Sequence, residues 1–155
     1  FAKDTFRREI DILQRFHHPN IVRLFARALS RSDMQVLIYE FGHRFSLESV
    51  LKHNGHLLTW SRRISIMLDI CKGLNFLHTG GNKSNYQVFH RDLKSANIII
   101  MGNYTAKLID CGLAKLLDDE NSPILASMEG THWYSNGKIL GTPGYICPKY
   151  LDSPS

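Results

Sequence analysis

Long hydrophobic runs are missing from this sequence: residues 98–101 make a strand-sized apolar stretch, and nothing approaches the ~18 residues a membrane-spanning helix needs. The chain itself is expected to be soluble. Cysteine is scarce. Cys71, Cys111 and Cys147 are odd in number and widely spaced, which fits a reducing compartment better than a disulfide framework, and all three read as free thiols. A stripe of like charge is also absent. Lys and Arg outnumber Asp and Glu by 19 to 14, giving +5 and a pI near 9.2, but they are scattered among acids, so no nucleic-acid surface is indicated. His53 and His56 have no second Cys or His pair at zinc-binding spacing, which sets a tetrahedral zinc site aside. No charged-then-apolar leader opens the chain. Because it starts on Phe1, upstream sequence is expected to have been cut away, and targeting is not read from it.

What is present is ordinary globular material, 155 residues with 43% hydrophobic and 21% charged side chains, enough for one domain or part of one. No internal repeat or low-complexity segment interrupts it. Phe6, Ile10 and Leu13 follow helical spacing until His18-Pro19-Asn20 breaks the pattern. Residues 21–26 and 35–40 read as paired strands around a polar turn at 30–33. Ser46 is placed to cap a short helix running to about Lys52. From Trp60 onward, Ile64, Met67, Leu68, Cys71, Leu74 and Leu77 share one helical face, which predicts a buried central helix stopped by Gly80-Gly81. Two short strands, 97–101 and 104–109, flank Gly102-Asn103 as a two-residue turn. Beyond Gly112 a long irregular stretch is expected as far as Pro148.

That second hairpin carries a geometric expectation. A two-residue turn puts Asn97 opposite Leu108, and side-chain alternation then projects Asn97, Leu108 and Asp110 from one face, Asp110 displaced by about 7 Å along the strand. An amide and a carboxylate oxygen so placed suit Mg²⁺ carrying a polyphosphate. Asp92, just upstream of Asn97, is then positioned to orient an acceptor hydroxyl.

The octet His90-Arg91-Asp92-Leu93-Lys94-Ser95-Ala96-Asn97 resembles the protein-kinase catalytic loop. Asp110-Cys111-Gly112 resembles the metal-binding triplet that follows it, and Gly141-Thr142-Pro143-Gly144-Tyr145 the end of the activation segment. Within that superfamily, Leu58-Thr59-Trp60-Ser61-Arg62-Arg63, the stretch Gly73-Leu74-Asn75-Phe76-Leu77-His78 and Tyr39-Glu40-Phe41 are similar to receptor-like and Pelle-type Ser/Thr kinases. The resemblance covers essentially the whole chain. It implies an incomplete α+β kinase fold, with residues 1–42 as a small-lobe remainder and hinge, 43–109 as large-lobe helices and catalytic loop, and 110–149 as the activation segment.

Roles follow from the resemblance position by position. Asp92 would accept or orient the substrate hydroxyl proton, and Lys94, which favours Ser/Thr specificity, would stabilise charge on the transferring phosphoryl group of ATP. Asn97 and Asp110 would hold Mg²⁺. Tyr39 would guard the back of the nucleotide pocket, the backbones of Glu40 and Gly42 would bond adenine, and Ile99 would pack beneath it. Glu9 matches the helix Glu that pairs with the phosphate-binding Lys. Arg91 implies control by phosphorylation, with Ser127, Thr131 and Ser135 as unranked acceptors.

Some features depart from the pattern. The Gly-rich loop and the strand Lys are not in these residues, and Lys3, in the same helical stretch as Glu9, cannot supply that Lys. Cys111 replaces the usual Phe in a stack that would include Leu13, Leu24 and His90, an exchange expected to loosen the active arrangement by about 1–3 kcal/mol. Cys147-Pro148-Lys149 stands where Ala-Pro-Glu is usual. The expectation is an active Ser/Thr kinase in signalling, with this stretch inactive alone. The alternative is a pseudokinase that binds nucleotide or scaffolds. Expected partners are ATP, a protein substrate and an upstream receptor or adaptor, in the cytoplasm or on the cytoplasmic side of a membrane.

Overall fold

The computed structural model describes residues 2–29, 35–40, 42, 45–81, 86–118, 134–135, 138–139 and 141–148. Helix α1 (Ala2–Arg15) buries Ile10, Ile12 and Leu13 and stops short of Pro19, before which helical backbone is disfavoured. Asn20 then anchors the chain. Its Nδ2 donates to the Ala106 carbonyl at 3.0 Å, and its own carbonyl accepts from the Leu108 amide at 2.9 Å. Ile21 consequently runs parallel to Leu108, and strand β1 (Leu24–Leu29) begins later than residue 21. It pairs antiparallel with β2 (Gln35–Tyr39), with a bulge between Leu24 and Ala26. The turn expected at 30–33 lies outside the described residues.

Helix α2 (Leu47–Asn54) starts as its sequence dictates, the Ser46 hydroxyl accepting from the Ser49 amide at 3.2 Å. Helix α3 (Trp60–His78) begins at a Thr59 cap and ends at Gly80 and Gly81, whose φ values of 69° and 60° lie in the left-handed region. The face predicted to be buried packs only at its C-terminal end, where Leu74 and Leu77 meet the core; its first two turns face outward. Ile64, Met67 and Leu68 are 43%, 49% and 53% exposed, whereas Ile66, Gly73 and Leu77 are buried. The helix carries apolar residues on two faces, and the one with Gly73 allows the closest approach to the Asn20 anchor. A Cβ on Gly73 would sit 2.8 Å from the Asn20 carbonyl oxygen and 3.1 Å from Leu108 Cδ1. Gly73→Ala is therefore expected to destabilise. Overpacking against backbone costs about 1–3 kcal/mol, which outweighs the roughly 1 kcal/mol that Ala regains in helix propensity. Unchanged or higher stability of Gly73→Ala in chemical denaturation would contradict this packing.

Strand β3 (Tyr86–Phe89), unforeseen in the sequence, pairs antiparallel with β6 (Lys115–Asp118). Between them lies the hairpin of β4 (Ile98–Ile100) and β5 (Ala106–Leu108). Its register differs by one residue from the expected one: Ile98, not Asn97, faces Leu108. The turn has three residues, because Tyr104 adopts a left-handed φ of 67°, its amide bonds the Met101 carbonyl at 2.9 Å, and Asn103 Oδ1 accepts from the Thr105 amide at 3.1 Å. Asn97 therefore lies in a short helical turn (Ser95–Asn97) before the strand. The stretch expected to be irregular also contains β6 and a small hairpin of β7 (Tyr134–Ser135) with β8 (Lys138–Ile139). A single core gathers Leu13, Phe16, Leu77, Val88, Ile100, Leu108 and Cys111 under an α+β arrangement.

Candidate active site

The loop ahead of β4 is built around His90, which is 2% exposed. Its Nδ1 accepts from the Asp92 amide at 3.4 Å, so Nε2 carries the proton and donates to the Ile109 carbonyl at 3.0 Å. Burial holds its pKa below the ordinary value, against the upward pull of the Ile109 bond and of Asp110 and Asp92. His18 and His78 are lowered for the same reason. Below about pH 6.5 the unfolded chain takes up protons that these folded sites refuse, so this stability is present above that pH and is lost as pH falls. Denaturation at about pH 7.5 and pH 6.0 should show the lower stability at the lower pH; the reverse order would contradict it.

Asp92, only 6% exposed, sits in a ring of donors. Its Oδ2 accepts from Lys94 Nζ at 2.7 Å and from Asn97 Nδ2 at 3.0 Å, and its Oδ1 accepts from the Thr142 hydroxyl at 2.6 Å. Lys94 Nζ also donates to Thr142 Oγ1 at 2.7 Å, which closes the ring. Burial pushes the Asp92 carboxyl up, but Lys94, Thr142 and Asn97 outweigh it, and the net shift is downward. Thr142 was not singled out in the sequence. The signal was its place in the Gly141–Tyr145 motif: Gly141, at φ 133°, brings that segment to within 3.4 Å of the Arg91 carbonyl as measured from an added Cβ.

A cavity of roughly 740 Å³ brings together Glu9, Tyr39, Glu40, Gly42, Ile99 and Asp110, with Val22 and Ile109 among its apolar walls. His90 ties this cavity to the Asp92 ring, and the Asn97 carbonyl accepts from the Ile109 amide at 3.0 Å. Among the described residues Glu9 has no Lys partner. Its Oε1 accepts from the Tyr39 hydroxyl at 2.6 Å. Burial raises the Glu9 carboxyl, the Tyr39 bond lowers it, and Asp110 raises it again. Behind it Cys111 is fully buried in the core that also holds Leu13, with Leu24 packed against it. Burial together with Glu9 and Asp110 pushes its thiol up to about 12, so the sulfur stays protonated. A Cβ on Gly112 would run into Thr5, so α1 rests directly on the triplet.

Among the described residues no cluster of three His, Cys, Asp or Glu could cage a metal. The donor set nonetheless fits Mg²⁺ held mainly by phosphate and water. Asn97 Nδ2 is engaged by the Asp92 carbonyl at 2.9 Å and by its carboxylate, which leaves Oδ1 as a hard oxygen donor, and Asp110 places a carboxylate on the cavity wall. Phe41, Ser127, Thr131 and Lys149 lie outside the described residues.

Residues 2–152 match the protein kinase domain family. Among curated proteins of Arabidopsis thaliana, the chain is 38% identical over 143 residues to serine/threonine-protein kinase PBL35, covering 92% of this chain and 26% of that protein. It is 35% identical over 148 residues to LRR receptor-like serine/threonine-protein kinase FEI 2, and 32% over 150 residues to cysteine-rich receptor-like protein kinase 1, covering 96% of this chain in both cases. The chain spans 22% and 23% of those two proteins, about a quarter of the length of the relatives it matches. No described helix is long and apolar enough to cross a membrane. With a kinase-like α+β fold and a family match along nearly its whole length, the chain belongs to the protein kinase domain family.

Proposed function

We propose that the whole protein transfers the γ-phosphoryl group of ATP to Ser or Thr hydroxyls of protein substrates, and that Asp92, Lys94, Asn97 and Asp110 carry the reaction. The observation that supports this best is the Asp92 Oδ1 contact with the Thr142 hydroxyl at 2.6 Å. A buried, ionised carboxylate already accepts a hydrogen bond from an aliphatic alcohol, which is the bond a general base makes to an incoming Ser or Thr. Lys94, within 2.7 Å of that carboxylate, would balance negative charge on the transferring group. Bound Mg²⁺ would neutralise charge on the phosphates, held by Asn97 Oδ1 and the Asp110 carboxylate. Tyr39, Ile99 and the backbones of Glu40 and Gly42 would hold adenine in the cavity.

Arg91 supports a phosphorylation switch. Its Nε is buried without a hydrogen-bond partner among the described residues, the Arg8 charge lies close enough to act on Arg91, and Arg91 in turn acts on Lys115. A phosphate on the activation segment would satisfy that donor. Upstream receptors or adaptors and a cytoplasmic site of action belong to the same proposal. So does inactivity of these 155 residues alone, which include neither a Gly-rich loop nor a strand Lys.

The test is labelling of a Ser/Thr peptide by the whole protein with Mg-ATP, followed by identification of the phosphoamino acid. Phosphoserine or phosphothreonine is expected. Nucleotide binding without transfer would favour the pseudokinase alternative, which the buried Cys111 and the Glu9–Tyr39 pair support.

A further inference from the structure

Lys107 has no part in the chemistry above, yet it holds a residue of the cavity. Its Nζ donates to Glu40 Oε1 at 2.8 Å and Oε2 at 2.9 Å, and Oε1 also accepts from the Arg23 amide at 2.8 Å. The Glu40 amide donates in turn to the Arg23 carbonyl at 3.0 Å. Both side chains of the pair are well covered, at 16% and 17% exposure, so this is not the solvated surface bridge that contributes little. With its carboxylate and amide engaged, Glu40 has its carbonyl left for a ligand in the cavity it lines. Lys107 also faces Ile99 directly across β4 and β5, so both side chains leave the same face of the hairpin. Gly42 sits over that face, where an added Cβ would lie 3.2 Å from Ile99 Cβ. One cross-strand pair thus seats both hinge residues, Glu40 through charge and Gly42 through close contact.

We infer that Lys107 is a positioning residue for the nucleobase: through Glu40 it fixes the carbonyl that receives the exocyclic amine of adenine, above the floor made by Ile99. This rests on the cavity being the nucleotide site, as proposed above. Inosine carries an oxo group in place of that amine and gains nothing from the carbonyl. Selectivity between the two bases therefore reports positioning, whereas general loss of structure affects both.

The experiment measures kcat and KM, with binding by calorimetry, for Mg-ATP and Mg-ITP. It uses the whole protein as wild type, Lys107→Met, Lys107→Arg and Glu40→Gln. Lys52→Met serves as the control, because Lys52 pairs with Glu48 on the exposed side of α2, away from the cavity lining. Lys107→Met and Glu40→Gln should each weaken ATP about tenfold, leave ITP within about twofold and spare kcat, while Lys107→Arg recovers most of the loss and Lys52→Met has no effect. Equal weakening of both nucleotides, or of neither, overturns the inference and leaves the cavity reading standing. Should Lys107→Met fail to fold, Glu40→Gln decides by the same comparison. If the wild type binds neither nucleotide, the cavity reading and this inference fall together.

Discussion

Asp92→Asn in the whole protein is expected to slow Ser/Thr phosphorylation by roughly 10²–10⁴-fold, while ATP affinity changes by less than about threefold. Asn has the volume of Asp, and with its oxygen in the place of Oδ2 it keeps the contacts from Lys94 and Asn97, its NH₂ then facing the Thr142 hydroxyl. It has no charge and cannot take up a proton. In the native ring Lys94 and Thr142 hold the Asp92 carboxyl ionised against burial, so the substitution removes the proton acceptor and leaves Lys94 facing an amide. Asp92 does not line the cavity that gathers Tyr39, Ile99 and Asp110, which is why the effect should fall on kcat. Equal rates for wild type and variant would end the assignment of Asp92 as base.

Leu108→Ala is expected to cost about 2–5 kcal/mol of stability, the range for truncating a fully buried leucine whose surroundings cannot collapse. Leu108 is 0% exposed, and its backbone is bonded on one side to Asn20 and Val22 while it faces Ile98 in the hairpin. Its Cδ1 also lies against α3 at Gly73. Three elements therefore converge on this side chain, and none can close the space without breaking backbone bonds. Ile109 and Asp110 follow directly, so nucleotide binding should weaken along with stability. A loss below about 1 kcal/mol in chemical denaturation would mean that the site relaxes and that Leu108 does not join these elements.

The motifs in this sequence were legible because they are local: the 90–97 octet, the Asp110-Cys111-Gly112 triplet and the Ser46 cap each need only a few neighbouring residues. The β1–β2 and β4–β5 pairings were also visible, though the β7–β8 hairpin was not. The β4–β5 register was not, because it depends on whether the turn holds two residues or three, and a Tyr at left-handed φ is not something propensity predicts. Helix α3 misled for a different reason. Two apolar faces compete along it, and the choice was made by Gly73, the residue with no side chain, against the Asn20 carbonyl. Contacts between distant residues were out of reach of any spacing rule, including β3 with β6, Thr142 on Asp92, and Tyr39 on Glu9. The Glu40–Lys107 pair belongs with them, since an acid and a base 67 positions apart give no sign of each other in a single sequence.

The central proposal is that Asp92 and Asn97, joined through His90 and Ile109 to the cavity that Asp110 lines, act with it on one bound Mg-ATP. A crystal structure of the whole protein with Mg²⁺ and a non-hydrolysable ATP analogue tests it most directly. The account predicts adenine between Ile99 and Val22, with Asn97 Oδ1 and the Asp110 carboxylate on the metal and Asp92 facing the γ-phosphate. A nucleotide bound elsewhere, or a metal held without Asn97 and Asp110, would contradict it.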